Sequence, residues 1–464
     1  MKKRWPYIAV PVLGVILCLW YVKCATYDIV YTDYIRLVNT YLPDVMNPDK
    51  FFVPDVLTRI PINYLGRMIN VLFFHYSTTF DMVLGVLGLG LAGGVLACYC
   101  RNYSLNWFWL LLLSILMFGL NKWEMLTNGT GCVHFLTIAC FLYHYLVLDR
   151  VWYGTEKKYD RVKLMVLPFV ITLGVAGPYC AIYTVVLVLS YGYCMIGKAK
   201  HSHMKKPDYR YLLYIVCALI PLFLYLWSNS YAVEDHADMQ NLPLIPTLLD
   251  IPGYFLHFFL KSLASDVLGG EMLKTWIEHG VISDGTVYML GILVLFAALL
   301  ALWMNFRYHL YKKTIFPLML LVGGGLNHLL ILYSRWGFMN ENYGMSSRYA
   351  LQFQFVTLGI VLTTALAWEQ IRRQVTGVLA GLCCVAVMSG SMITTAKEIE
   401  TAPYREEYGQ KIAIVALQYK EVSDEVLQET FDYRKTQEGS GAKVRAALEI
   451  LDENGLNIYR RNTR

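Results

Sequence analysis

The chain has 464 residues, of which 56% are apolar and only 16% are charged. Soluble domains carry charge on about a quarter of their residues, so the composition excludes a soluble globular protein and indicates one with many membrane-spanning helices. The net charge of +6 is spread over short loops between apolar segments. This distribution reports membrane topology rather than a nucleic-acid partner.

Apolar segments recur along most of the chain and predict the membrane spans. The basic start Met1–Arg4 resembles that of a signal peptide, but Leu19–Val22 is bulky and offers no small-residue cleavage site, so we expect a retained first helix. The prediction is an all-α polytopic membrane protein with about eleven transmembrane helices. The predicted spans lie near residues 5–22, 82–99, 106–120, 133–148, 163–177, 179–197, 211–228, 287–305, 315–333, 350–368 and 375–394.

The distribution of basic residues predicts the orientation. The short loops 149–163 and 198–210 are rich in Lys and Arg, and such loops stay in the cytoplasm. The N-terminus is then cytoplasmic, and an odd number of spans places the C-terminal tail outside the cell. The expected location is the plasma (cell) membrane.

The chain is predicted to divide into a membrane domain and a polar tail. Residues 1–395 hold the spans and two long outer loops, 23–80 and 229–286. Within the second loop, Pro252–Ala264 is apolar but short and carries a lysine, which favours an interfacial or re-entrant helix over a span. The tail, residues 396–464, is polar with apolar positions at helical spacing, so we expect extracytoplasmic helices docked on the membrane domain.

The first outer loop carries several carboxylates and begins with a predicted amphipathic helix. Thr32 can cap this helix, and Asp33 lies in its first turn. Asp33 is thereby placed at the outer surface, beside the end of the first span. An acid at this position also stabilises the helix dipole by about 0.3–1 kcal/mol, without any catalytic role.

A second juxtamembrane helix is predicted in the same loop, at Pro61–His75. Arg67 lies within it and Arg59 precedes it. Arginine suits phosphate, because its planar guanidinium donates two parallel hydrogen bonds. Extension of the side chain toward lipid headgroups explains each arginine equally well.

Two further positions carry polar chemistry near the predicted spans. Trp123 and Glu124 share a short outer loop, where an indole can stack on a sugar ring and a carboxylate can bind hydroxyl groups. Membrane interfaces are also enriched in Trp without any ligand. His328 lies inside a span, and such a group marks either a cavity or a hydrogen bond between helices.

The layout of the chain resembles that of the GT-C glycosyltransferases. It consists of one span, a long acidic loop with two juxtamembrane helices, and then many closely spaced spans. The resemblance implies a polyprenyl-phosphate-linked sugar donor and a carboxylate early in the first outer loop that acts as base or orients the acceptor. Asp33 holds that position. The family's paired acids are not reproduced, since Thr32 and Tyr34 flank Asp33 and Asp28 is the nearest acid.

Ser346–Tyr349 is similar to the Arg-Tyr that begins a late span in the aminoarabinose and protein-mannose transferase branches of that family. The resemblance implies that Arg348, with Tyr349, holds the lipid phosphate, although the proline that often follows is replaced by Ala350-Leu351. The end of the tail looks like those of uncharacterised bacterial members. Many such enzymes bind a divalent metal, but no cluster in this sequence marks a metal site, and the cofactor stays open.

The sequence therefore predicts transfer of a sugar from a polyprenyl-phosphate donor to an extracytoplasmic glycan or lipid acceptor. Asp33 would take the proton of the acceptor hydroxyl. The predicted substrate-binding residues are Arg348, Tyr349, Arg59, Arg67, Trp123 and Glu124. The expected partners are membrane lipid, the lipid-linked donor and the acceptor, with no nucleic acid.

Two other function classes stay open at this point. A lipid-linked-sugar flippase or polysaccharide transporter would need charged groups along a path through the spans, whereas the acids concentrate in outer loops. A membrane glycan polymerase or ligase shares the architecture and relies on arginines in outer loops.

Overall fold

The computed structural model describes residues 5–51, 61–201, 207–229, 240, 242–434, 437 and 439–460. Within these residues the chain forms α-helices joined by loops and short 3-10 turns, with no β-strand. In chain order the helices are α1 (Pro6–Ala25), α2 (Asp33–Tyr41), α3 (Pro61–Phe74), α4 (Thr78–Asn102), α5 (Trp107–Met117), α6 (Trp123–Thr127), α7 (Cys132–Trp152), α8 (Asp160–Gly174), α9 (Cys180–His201), α10 (Arg210–Asn229), α11 (Leu244–Asp250), α12 (Pro252–Ala264), α13 (Gly270–Glu278), α14 (Asp284–Arg307), α15 (Phe316–Arg335), α16 (Ala350–Ile371), α17 (Val375–Leu417), α18 (Asp424–Thr430) and α19 (Ser440–Glu453).

The chain is an all-α polytopic membrane protein, as predicted. Across the described part of the chain, ten helical segments are long and apolar enough to cross a membrane. They are formed by α1, α4, α5 with α6, α7, α9, α10, α14, α15, α16 and α17. The predicted span 163–177 corresponds to α8, which has 15 residues and is shorter than the other spans.

The first long loop and the tail lie on the same face of the membrane domain, which we call the loop face. Thr32 N donates to Phe431 O at 2.9 Å, and Asn457 Nδ2 donates to Tyr76 O at 3.0 Å. The two segments also share one hydrophobic cluster, so neither has a complete core alone. Its buried members include Tyr34, Ile35, Val38, Tyr41, Leu427, Phe431, Val444, Leu448 and Leu451.

This shared face requires an even number of membrane crossings between the loop and the tail. Nine of the ten long segments follow the loop, so one more crossing is needed. Helix α8 supplies it: it packs against α7 and α10, and Tyr179, just after it, lies within electrostatic range of Arg348 on the loop face. At about 1.5 Å per residue α8 is roughly 22 Å long, less than the ~30 Å hydrocarbon core, which explains why length alone does not identify it.

The second long loop holds three short helices, α11 to α13, between α10 and α14. Helix α12 has 13 residues with the bounds that the sequence indicated, and it is too short to cross the membrane. Its Lys261 is 4% exposed and pairs with Asp284 at 2.7 Å and Glu341 at 3.2 Å. The lysine that argues against a span in the sequence therefore fixes α12 to the start of α14.

Helix α17 connects the membrane to the tail without a break. It runs for 43 residues, roughly 65 Å at 1.5 Å per residue, so it extends well beyond the membrane. The predicted division between residues 395 and 396 falls within this helix. The tail is thus joined to the membrane domain by a continuous helix rather than by a flexible linker.

Candidate active site

A charged cluster lies on the loop face around Arg348. This residue stands in the 3-10 turn Ser347–Tyr349 that precedes α16. Its Nε donates to Glu124 Oε1 in an ion pair, and Ser347 Oγ donates to Glu124 Oε2 at 3.0 Å. Both carboxylate oxygens of Glu124 are therefore engaged, and the predicted residues 124 and 348 are brought together.

Asp33 is a second carboxylate near Arg348. It is partly buried at the start of α2, within electrostatic range of Arg348, Arg36 and Tyr433. No group in the described part of the chain donates a hydrogen bond to Asp33. A carboxylate held among arginines and without a committed donor is able to accept a hydrogen bond from a substrate hydroxyl.

The residue before Asp33 is held from two sides. Thr32 occupies the N-cap position of α2, but its side chain does not cap the helix, so that prediction is wrong. Its hydroxyl instead accepts from Asn128 Nδ2 at 3.3 Å, and its N–H donates to Phe431. The backbone φ of Thr32 is 49°, a conformation that costs a non-glycine residue about 1–3 kcal/mol. The contacts with Asn128 and Phe431 hold the backbone in this conformation.

A third carboxylate belongs to Glu271, which was not among the site residues predicted from the sequence. It opens α13 and accepts from Ser347 N at 3.0 Å. Burial is the main cause that raises the pKa of Glu271 above its ordinary value, while hydrogen bonds from Ser347 oppose the increase and nearby Glu124 adds to it. Glu271 thus fixes the turn that carries Arg348, and only tertiary contact reveals this.

Arg405 of α17 reaches the same region and covers Trp123. Its guanidinium carbon lies 3.2 Å from the centre of the Trp123 ring, and one Nη donates to Glu398 Oε2 at 2.6 Å. One face of the indole proposed for sugar stacking is therefore occupied by a cation. The sequence placed Arg405 in the polar tail, where nothing distinguished it.

Arg67 lies within electrostatic range of Arg36, which is itself near Asp33. It is 4% exposed, packs 4.0 Å over the ring of Tyr41, and interacts electrostatically with Asp81. Asp81 accepts hydrogen bonds from Tyr34 at 3.0 Å and Asn70 at 3.1 Å. The surroundings of Arg67 are thus those of a buried group that joins α3 to α2 and α4. Arg59 lies outside the described residues.

Asp28, the acid nearest to Asp33 in the sequence, is fully engaged. It accepts from Ser77 Oγ at 2.7 Å and from Thr78 N and Oγ1 at 2.7 and 2.9 Å, at the start of α4. From the tail, Arg460 Nη approaches it at 3.5 Å. These contacts make Asp28 a connection between loop, span and tail, in contrast to Asp33.

Tyr349 and His328 lie one layer deeper. Tyr349 is 7% exposed and packs against Phe353, with ring centres 6.0 Å apart. His328 Nε2 lies 3.2 Å from Asp266 Oδ2, and its Nδ1 lies 3.0 Å from Ser262 Oγ. The histidine therefore joins α15 to the segment around α12. This corresponds to the second interpretation that the sequence left open, a hydrogen bond between helices.

A divalent metal was an open expectation. Among the residues that the structure describes, no three His, Cys, Asp or Glu side chains are grouped to hold a metal ion. In the cluster around Arg348, Glu124 and Glu271 accept hydrogen bonds from arginine and serine donors.

Comparison with known proteins gives two structural neighbours. The chain matches no protein-family model and no curated protein sequence. One neighbour is the crystal structure of the Archaeoglobus fulgidus oligosaccharyltransferase tethered with an acceptor peptide containing the NVT sequon, with a TM-score of 0.45 and 14% identity over 93% of this chain and 59% of that one. The other is archaeal oligosaccharyltransferase AglB from Archaeoglobus fulgidus in complex with an inhibitory peptide and a dolichol-phosphate, with a TM-score of 0.41 and 13% identity over 93% of this chain and 60% of that one. The chain spans about three fifths of the length of these proteins.

Proposed function

We propose that this protein is a GT-C-type integral membrane glycosyltransferase that moves a sugar from a polyprenyl-phosphate donor to a hydroxyl of an extracytoplasmic glycan or lipid. The observation that carries the proposal is the position of Asp33 within electrostatic range of Arg348 on the loop face. One is a carboxylate with no committed hydrogen bond within the described residues, and the other is an arginine oriented by Glu124.

The proposed reaction divides the work between these two side chains. The acceptor oxygen forms a bond to the anomeric carbon while the bond from that carbon to the phosphate oxygen breaks. The acceptor proton passes to Asp33, and the departing phosphate keeps the electron pair. Arg348 lies where its remaining N–H groups can stabilise the negative charge that develops on the phosphate.

Glu124 has a different role in this proposal. Because its two oxygens already accept from Arg348 and Ser347, it is poorly placed to take a proton from a substrate. It fixes the direction of the guanidinium and so acts as a positioning residue. Trp123 and Tyr349 shape the surroundings of the same group.

Helix α3 supports access from the lipid side. It buries Tyr64, Arg67 and Asn70 and exposes its apolar side chains, the reverse of a helix on a soluble protein. The exposed residues are Leu65, Ile69, Leu72 and Phe73, with exposed fractions of 44, 46, 52 and 73%. This arrangement suits a helix lying in the membrane interface, beside the site where a lipid headgroup would enter.

The polar groups at the opposite face weigh against the transporter alternative. There Asp149 accepts from Thr314 Oγ1 at 2.9 Å and Ile315 N at 2.8 Å, and Arg150 pairs with Asp160 at 2.9 Å. These buried groups are committed to links between helices rather than arranged along a path through the spans. The basic loops lie on that face too, which supports a cytoplasmic location for it and an extracytoplasmic one for the loop face.

The experiment that tests the proposal compares two aspartates of the same loop. Purified protein in detergent is given polyprenyl phosphate carrying a hexose, together with a glycan or lipid acceptor that has free hydroxyl groups, and release of polyprenyl phosphate is measured. Asp33→Asn should reduce turnover by at least about a hundredfold, the lower end of a general-base contribution. Asp44→Asn, at an exposed position of the loop, is the matched control. Turnover by Asp33→Asn within a few-fold of the unmodified protein would remove Asp33 from the reaction.

A further inference from the structure

The first turn of α16 contains a glutamine whose side chain has no partner. Gln352 lies three residues after Tyr349, is 1% exposed, and forms no hydrogen bond of good geometry through either Nε2 or Oε1. In a membrane-spanning segment an unsatisfied amide is costly, because neither lipid nor apolar side chains can replace its bonds to water. A bound ligand with hydroxyl groups can satisfy both atoms of such an amide.

Other unpartnered polar atoms surround Gln352. Tyr179, in the turn before α9, lies close enough to interact with the side chain of Gln352 and packs edge-on against His134, with ring centres 5.2 Å apart. The Nδ1 of His134 is buried and has no partner. The same is true of the Oδ1 of Asn327, a residue of α15 that is 5% exposed.

Packing between α15 and α16 brings Asn327 to the depth of Gln352. His328 stacks on Phe353 with ring centres 3.9 Å apart. Because α15 and α16 are antiparallel, the residues that precede these two, Asn327 and Gln352, lie within about 3 Å of the same depth. Tyr179 is also within electrostatic range of Arg348. Gln352, Tyr179 and His134 therefore follow one another on the membrane side of Arg348, and Asn327 lies near their depth.

The chemistry of this group differs from that of the charged cluster above it. It offers an amide that both donates and accepts, a second amide oxygen, an imidazole nitrogen and a phenol, all of them uncharged. Neutral hydroxyl groups satisfy such atoms, whereas a phosphate prefers guanidinium groups. Buried polar atoms that only the correct hydroxyls can satisfy also give strong selectivity, since a ligand without them leaves the atoms unpaired.

We propose that Gln352, His134 and Asn327 form the subsite that binds the hydroxyl groups of a neutral sugar on the lipid donor, while Arg348 binds the adjacent phosphate. This inference rests on the proposed function and specifies its substrate class.

The test measures binding of two kinds of lipid to the purified full-length protein. The probes are undecaprenyl phosphate alone and undecaprenyl phosphate carrying glucose, mannose or N-acetylglucosamine, with aminoarabinose and glucuronate versions for comparison. Gln352→Met keeps the length of the side chain and removes its polar atoms. It should lower affinity for the preferred neutral-sugar lipid at least about fivefold and leave affinity for the bare lipid phosphate unchanged.

Two further variants make the result specific. Gln354→Met is the matched control, because Gln354 is also buried on α16 but faces α5, where its Nε2 lies 3.7 Å from Met117 Sδ. It should keep the preference for the sugar. His134→Phe retains a ring against Tyr179 and should weaken sugar binding from a different helix. Gln352→Met should melt at the same temperature or higher, since an unsatisfied group has been removed.

The outcomes separate the two proposals. Unchanged preference for the sugar in both Gln352→Met and His134→Phe would overturn the subsite, as would an unmodified protein that favours no neutral-sugar lipid over bare lipid phosphate. Exclusive preference for the aminoarabinose or glucuronate lipid would also overturn it. A protein that binds none of the lipids would refute the proposed function itself.

Discussion

Replacing Arg348 by lysine distinguishes two possible roles of this residue, binding a phosphate and anchoring the protein at the membrane surface. Lysine keeps the positive charge, but its ammonium group lacks the planar fork of N–H donors with which a guanidinium can bind Glu124 and a phosphate. Loss of one charge-assisted hydrogen bond costs about 1.5–3 kcal/mol, which corresponds to roughly a 10- to 150-fold weaker affinity for the lipid donor. We expect Arg348→Lys to show a loss in this range.

The effect on stability should be small by comparison. The side chain of Arg348 is half exposed, so its ion pair with Glu124 contributes about 0–1 kcal/mol to folding. Donor affinity is measured by titration in detergent, and the melting temperature is measured on the same samples. Glu124→Gln is the companion variant, because it keeps an acceptor for Ser347 and removes the charge that orients Arg348. It should reduce donor affinity less than Arg348→Lys does.

An unchanged donor affinity in Arg348→Lys would refute this reasoning. The arginine would then be a residue that extends toward lipid headgroups, a role that lysine fills equally well. A large loss of stability with unchanged affinity would assign Arg348 a structural role only.

Three further predictions concern residues around the site. Arg405→Met should remove the cation from Trp123 and lower turnover at saturating donor with less effect on donor affinity, whereas Arg405→Lys should retain part of the activity; equal activity of all three proteins would exclude a positioning role. Asn457→Ala should release the tail, since Asn457 Nδ2 donates to Tyr76 O at 3.0 Å and its Oδ1 accepts from Val30 N at 3.3 Å. Loss of these hydrogen bonds should weaken docking of the tail by about 1–3 kcal/mol, which would be seen as faster cleavage of the tail by added protease. Unchanged cleavage would count against tail docking. For Glu271, burial raises the folded-state pKa above the ordinary value of 4.5, so the folded state binds more protons than the unfolded state. The free energy of unfolding should therefore fall as pH rises from 4.5 through that raised pKa. Glu271→Gln should flatten this part of the melting-temperature profile, and a profile with the same slope would contradict the assignment.

The sequence predicted the helices well because their causes are local. Composition alone identifies an apolar segment as a span, and the bounds of Pro252–Ala264 follow from its proline, its length and its lysine. The helix that begins at Asp33 was also predicted. Helix α8 was predicted as the span 163–177, and the structure shows that its 15 residues make it shorter than the other spans.

The contacts of the site are not local and could not be predicted in the same way. Glu124 and Arg348 are 224 residues apart, and no pattern in the sequence indicates that they meet. Helix α3 illustrates a different difficulty. Its periodicity was recognised, but at a membrane interface the apolar side faces outward, so Arg67 is on the buried side of the helix.

The hydrophobic cluster shared by the first loop and the tail also determines when, during synthesis, the first loop can complete its core. Val30 and Asn457, which are hydrogen-bonded, lie 427 residues apart, so at about 5–20 residues per second their synthesis is separated by roughly 20–85 seconds. During that interval the loop that carries Asp33 has been made, but the partners that complete its core have not. A chain interrupted before the tail would therefore insert its membrane helices without completing the core around the loop that carries Asp33.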